Sequence, residues 1–342
     1  MLKRTASTGH FQHIPSTDVY FRVISAELFP AVRVCGFLYV TLYLFLVSDS
    51  FFYIGSLQNA RSVNRQKRAQ FEGSSHHDRS VVTVVSAYYN LHSPKHSHGD
   101  YAVWMSNFLS EVPCYLYIFT DDESYPMLRE LRSAHLNRTK FLIKPFEELR
   151  MAKLGEAFWR KHYDMDPRWK RHNSRLYIIW NEKTNFVMDA IGDDPFNSDY
   201  FIWCDIGSFR NASRLPQLRT FPNEKKISQL DSTKIHMEIL YPFRRRDYAL
   251  LPNNGLPVRR FQKEVRLAGG FMVGHRRAWQ KWNGIFYETL MRMSEANRFV
   301  GDDQIVMVNV AVLHPELTKF ITPKPYFNDT GDGWFYFQYL FS

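Results

Sequence analysis

Cysteine is scarce in this sequence: three residues in 342, Cys35, Cys114 and Cys204, each inside an apolar run. That excludes a disulfide scaffold and a thiolate zinc site, and it leaves buried free thiols as the natural state. No P-loop, no GxGxxG turn and no GxSxG elbow occurs, which removes the motif-based case for a triphosphatase, a dinucleotide oxidoreductase or an α/β-hydrolase. Nor is there a basic helix or arm. The formal net charge is +10, but Arg244-Arg245-Arg246, Arg259-Arg260 and Arg276-Arg277 are dispersed along the chain. The balance favours phosphates or a membrane surface as partners, and no nucleic acid is expected. What is abundant is core material: 45% hydrophobic and 16% aromatic residues exclude disorder over most of the length.

One long apolar run stands near the start, from Val34 to Ser48 and on through Phe51 to Ile54. It is long enough to cross a bilayer of about 30 Å and lies too far from Met1 for a cleaved signal peptide. The expected layout is a cytosolic tail over 1–33, a transmembrane signal anchor over 34–54, a polar stem over 55–79 and a globular domain over 80–342. A short tail before a long carboxyl-terminal domain favours single-pass type II topology, with the domain in the Golgi or another secretory lumen. Sequons at Asn137, Asn211 and Asn328 permit glycosylation there.

The globular part alternates strand and helix patterns, the signature of a mostly parallel α/β sheet with crossover helices. Strands are expected at Val81–Tyr89, Cys114–Thr120, Lys140–Lys144, Tyr200–Cys204, Ile227–Leu230, Ile235–Leu240 and Leu267–Gly274. Helices are expected near Tyr101–Leu109, Met127–Leu136, Leu176–Ala190 and Arg277–Met293. An apolar stretch, Ile305–Val312, opens on Asp302-Asp303. Lys183 is conspicuous, a lysine inside an otherwise apolar helical stripe. The tail from Pro323 to Ser342 is aromatic and reads as packed.

The stretch that organises the domain is Tyr200-Phe-Ile-Trp-Cys-Asp-Ile-Gly-Ser-Phe-Arg210. Its apolar run reads as a strand buried on both faces, and ligands of α/β sheets bind past the carboxyl ends of such strands. Asp205 sits at that edge, where an unpaired carboxylate is costly. A strand-ending Asp that only caps a turn is the plain alternative. Asp121-Asp122 and Asp302-Asp303 make two more acidic sites. Together they suit a phosphorylated ligand with a hard divalent cation, Mn²⁺ or Mg²⁺, for which His314 is a further candidate ligand. Gly269-Gly270 would leave room for a sugar or phosphate, or would reflect tight strand packing.

The order Val81-Thr83-Ala87-Tyr88, Trp104-Met-Ser-Asn-Phe108, Ile118-Phe-Thr-Asp121, Trp203-Cys-Asp-Ile-Gly207, Gly269-Gly-Phe271 and Asp303-Gln304 resembles the HtrL/YibB-like family over roughly Val81 to His314. The resemblance implies a glycosyltransferase of the GT-A fold, with a nucleotide-sugar donor, UDP-sugar favoured, and a glycan, protein or lipid acceptor. On that basis Thr83, Ala87 and Tyr88 belong to the donor base and ribose, and Asp121, Asp205, Gly207, Gly269 and Gly270 to the sugar diphosphate. Asp205 takes the first place of the fold's Asp-x-Asp metal motif, whose second place is Gly207 here. Asp303 and Gln304 fall where such enzymes carry a catalytic or acceptor-binding acid, and Lys183 would neutralise the leaving diphosphate. A catalytically silent sugar- or nucleotide-binding protein of the same fold is the alternative.

Overall fold

In a computed structural model, residues 82–91, 98–329 and 333–342 are described, all within a folded unit spanning Asp78–Ser342. The expected anchor at 34–54, its flanking tail and stem, and Cys35 lie outside the described residues. Among the described residues no helix is long and apolar enough to cross a membrane.

The chain runs β1 (Val82–Tyr88), α1 (His98–Glu111), β2 (Leu116–Thr120), α2 (Tyr125–Leu131), β3 (Thr139–Ile143), α3 (Glu156–Met165), α4 (Ser174–Asp193), β4 (Tyr200–Cys204), α5 (Glu224–Ile227) and β5 (Ile235–Ile239). It continues through β6 (Leu267–His275), α6 (Arg276–Glu295), α7 (Asp303–Leu313), β7 (Thr318–Ile321), α8 (Pro325–Asp329) and α9 (Tyr336–Leu340). The strands form one mixed seven-stranded sheet in the order β3-β2-β1-β4-β6-β5-β7, in which only the two pairings made by β6 are antiparallel.

The central strands are buried on both faces, and their period of two divides the core. Phe201 and Trp203 join Val85 and Ala87 in a cluster with Trp159 of α3, Phe186 of α4, Trp279 of α6 and Val306 of α7. Tyr200, Ile202 and Cys204 join Val82 and Val84 in a second cluster with Phe108 of α1 and Phe337 of α9. Helices therefore cover both faces, and the aromatic tail is packed as its composition foretells. Cys114 and Cys204 are buried free thiols.

Two expectations are corrected. Ile227–Leu230 is not a strand: the Asn223 side chain accepts from the Lys226 amide and caps the short α5, of which only Ile227 is buried. Conversely β7, only four residues long, escaped the sequence pattern because it is an edge strand with one flank open to water.

Candidate active site

Because β1, β2 and β4 run parallel, their carboxyl ends share one edge of the sheet, and the antiparallel β6 begins at that same edge. The Asp205 amide extends the β4–β6 ladder by donating to the Gly270 carbonyl at 2.9 Å. Asp205, Gly269 and Gly270 are thereby neighbours across a strand pair 65 residues apart in sequence (205 to 270).

Lys183 reaches this edge from the middle of α4. Its Nζ lies 3.2 Å from Asp205 Oδ1 and 2.9 Å from Asp303 Oδ2, and it donates to the Gly269 carbonyl at 2.9 Å. An ammonium has three donors, and here three partners surround it. The aligned hydrogen bond goes to the carbonyl, so Asp303 Oδ2 is held by charge more than by a well-directed bond. Burial works against the ammonium, but the two carboxylates outweigh it and raise its pKa above the ordinary lysine value. Burial pushes Asp303 up to about 6, against the opposing pull of Lys183. The two shifts differ in kind: Lys183 has two anions to itself, whereas Asp303 shares one cation and stands near Asp302. Only Asp205 opens to water, its side chain 37% exposed against 4% for both Lys183 and Asp303.

The turn after β4 is built by the motif in α1. Trp203 Nε1 donates to Asp205 Oδ1 at 2.8 Å and fixes the carboxylate. Asn107 donates to the Phe209 carbonyl at 2.8 Å, and Phe108 stacks on Phe209 with ring centres 4.5 Å apart. A Cβ at Gly207 would come within 3.1 Å of both Tyr101 and Trp104, so close approach of these rings is what requires glycine there. Arg210, at the end of the turn, lies 3.9 Å over the Trp104 ring and holds the Gly207 carbonyl at 2.9 Å. Burial, then the nearby Asp205 charge, raises the Tyr101 pKa. Tyr101, Trp104 and Arg210 thus border the site. They were not singled out as site residues, although Arg210 stands five residues past Asp205.

The second acidic pair divides its work. Asp302 caps α7, accepting from the Gln304 amide at 3.0 Å, and pairs with Arg168. Asp303 turns to Lys183. Asn181, two residues before Lys183, donates to the Val300 and Gly301 carbonyls and ties this loop to α4. Gln304 donates from Nε2 to the Leu267 carbonyl and so secures the start of β6.

Other expected residues fall elsewhere. Thr83 is fully buried near the opposite end of β1, bonded to Ser198, roughly 16 Å of strand from Tyr88. Ala87 is packed in the core. Tyr88 and Asp121 are at the right edge, on β1 and just past β2; Asp121 Oδ1 caps the next turn by accepting from the Ser124 amide at 2.8 Å. Gly269 and Gly270 do not leave a cavity: a Cβ on the first would meet Gln304 at 3.0 Å, and on the second Phe335 at 3.2 Å. His314 ends α7, an eleven-residue helix that puts it roughly 16 Å from Asp303, and its Nδ1 lies 3.6 Å from Glu316. That length sets His314 at the far end of the helix from the Lys183–Asp303 contact.

Among the described residues no group of three or more His, Cys, Asp or Glu side chains is placed to hold a metal. The donor set for Mn²⁺ or Mg²⁺ reduces to Asp205, whose Oδ1 serves Trp203 and Lys183. Its second oxygen fits a hard cation that carries most of its coordination on phosphate oxygens and water.

A family model described as "Bacterial protein of unknown function (HtrL_YibB)" matches residues 80–336. Among solved structures, mouse xyloside xylosyltransferase 1 in its apo form aligns at 13% identity with a TM-score of 0.38, covering 74% of this chain and 93% of that one. No curated protein sequence matches.

Proposed function

We propose that the chain, which belongs to the HtrL/YibB family, is a glycosyltransferase that moves a sugar from a nucleoside diphosphate, with UDP favoured, to an acceptor hydroxyl. One observation carries the reading: the Asp205 carboxylate opens to water at the carboxyl edge of a largely parallel sheet, backed by the buried Lys183 and Asp303. That edge is where such sheets take phosphorylated ligands. Asp205 would meet the donor diphosphate, directly at the ribose or through a shared Mn²⁺ or Mg²⁺, which would supply Lewis-acid charge to the departing diphosphate. Arg210 and Tyr101 stand beside it to orient the phosphates. Lys183 is buried and surrounded by the Gly269 carbonyl and the two carboxylates, so its part is to hold both carboxylates rather than to touch the leaving group. Asp303, buried behind it, sets the charge of the centre.

The same reading makes 34–54 a signal anchor that places 80–342 in a secretory lumen; protease protection of sealed microsomes checks this, and digestion of the domain there would overturn it. A second reading, a sugar or nucleotide binder without turnover, draws on Gly207, which stands under Tyr101 and Trp104 where a second acid would not fit.

Calorimetric titration of the full chain with UDP, with and without Mn²⁺, tests the donor site. Binding is expected, and Asp205→Asn should weaken it by about tenfold through loss of one charge-assisted contact. No UDP binding in either condition sinks the donor reading. Binding of a UDP-sugar with no release of UDP in the presence of acceptors leaves the silent binder.

A further inference from the structure

The dispersed arginines of the sequence are gathered by the fold. Between β5 and β6 the chain leaves the sheet for a long excursion and returns, closed by a bridge between Leu250 and Pro257. Asp247, fully buried, accepts from the Arg244 amide at 2.7 Å and lies 3.2 Å from Arg259 and 3.6 Å from Arg266. Burial opposes its ionisation, but the Arg244 amide and then these arginines hold its carboxyl below the usual range. Glu264 pairs with Arg259 and, at 2.7 Å, with Arg266. Two acids thus engage two arginines.

A cavity of about 360 Å³ opens over this frame, lined by five cations, Arg244, Arg246, Arg259, Lys263 and Arg266, together with Glu264 and Tyr241. Arg244, Arg246 and Lys263 are exposed and form no ion pair among the described residues. With Arg259 and Arg266 balanced by Asp247 and Glu264, they leave a local surplus of three positive charges. Tyr241, 64% exposed, adds an aromatic face to the wall.

The cavity also stands at the catalytic edge. The turn Arg245–Tyr248 packs against α7, whose first residue is Asp303. Arg266 directly precedes Leu267, whose carbonyl Gln304 holds, and lies three residues before Gly269 of the site. Along an extended strand that is roughly 10 Å, a span of about two sugar rings.

We propose that this cavity is a binding site for an anionic saccharide, a sugar bearing a phosphate, sulfate or carboxylate group, and that it seats the acceptor next to the Asp205–Lys183–Asp303 centre. Guanidinium forks and a lysine match such oxyanions, and an aromatic face receives the apolar side of a sugar ring. The cavity is a single pocket of ligand size, not a track for a polymer backbone. The acceptor role rests on the transferase reading; the anion site does not.

The test titrates the full chain with glucose 6-phosphate, glucose 6-sulfate and glucuronate, with glucose and inorganic phosphate as controls. At least one charged sugar should bind about tenfold more tightly than either control, and the variant Arg244→Gln/Arg246→Gln/Lys263→Gln should lose that margin while still binding UDP. These three leave the Asp247 and Glu264 pairs in place, and a thermal melt confirms the fold. Charged sugars binding no better than the controls, equal binding by the variant, or displacement of the charged sugar by UDP overturns the proposal. Anionic-sugar binding in a chain that does not bind UDP supports the cavity and rejects the transferase reading instead.

Discussion

Two charged regions share one edge of this sheet and treat charge in opposite ways. Around Lys183 each formal charge has a partner and two of the three are dry: one ammonium faces two carboxylates and a carbonyl, the lysine and Asp303 are almost wholly buried, and only Asp205 meets water. Around Arg246 three exposed cations form no ion pair among the described residues. Desolvation explains the contrast. A buried ion must be compensated or it neutralises, whereas a solvated one tolerates being left over. Paired charge at the first region therefore fixes geometry, and surplus charge at the second is free to meet a ligand.

Breaking the first region should give the largest effect. Lys183→Met keeps the apolar stem but leaves Asp205 and Asp303 facing each other, and removing one partner of a buried pair costs about 3–5 kcal/mol. Denaturant melts should show that loss, with UDP binding abolished as the Gly269 end of β6 is released. A melt within 1 kcal/mol of the parent, on the scale of an exposed pair, would mean the lysine is not the keystone of the edge.

That keystone was half legible in the sequence. A lysine within the apolar stripe of α4 must find an anion, and β4 ending on Asp205 announced the edge. Which anions it meets depends on β6 and α7 converging from 86 and 120 residues away (183 to 269 and to 303), which no local pattern encodes. Thr83 and His314 were misplaced for a related reason: pattern identifies an element but not which end of it faces a ligand. Paired glycines at Gly269-Gly270 suit either room for a ligand or tight packing, and sequence does not choose between them; the structure chooses packing, with Gln304 and Phe335 against them. The basic cavity was invisible because Arg244–Arg246 and Arg259 meet only after Asp247, twelve residues before Arg259, draws the excursion together.

A smaller, pH-dependent effect sharpens the same comparison. The folded protein holds the Asp303 pKa at about 6, above the value of about 3.9 for an unperturbed aspartate. The native state therefore binds a proton that the unfolded chain has lost between about pH 4 and 6. This group's favourable contribution is complete below about 4 and disappears as pH rises through 6. Asp303→Asn, neutral throughout, should match the parent near pH 4 and become the more stable protein above 6, by about 3 kcal/mol. Melts of both proteins across pH 4–8 read the difference. A gap that stays flat with pH would show that Asp303 titrates normally and that its charge carries no burial penalty.

The smallest effect is expected in the open cavity. Arg246 is exposed and forms no ion pair among the described residues; its charge reaches the Asp247 carboxylate only at longer range and shares the cavity with four other cations, so it adds little cohesion. Arg246→Gln removes that charge and retains most of the polar reach, and an isolated surface change of this kind stays within about 0.5 kcal/mol. For a domain of this size that is a melting shift of about 2 °C or less. Arg266→Gln is the paired control twenty residues on. Its guanidinium is buried, bonded to Glu264 and to the Pro242 carbonyl, and close to Asp247. Its loss leaves Asp247 buried with one fewer cation and should cost about 3 kcal/mol. If Arg246→Gln destabilised the fold as much as Arg266→Gln, the cavity would be a structural clamp like the Lys183 centre, and its positive charge would not be surplus. A stable Arg246→Gln protein beside an unstable Arg266→Gln protein divides the cavity into a frame that holds the loop and a set of cations that the fold does not need.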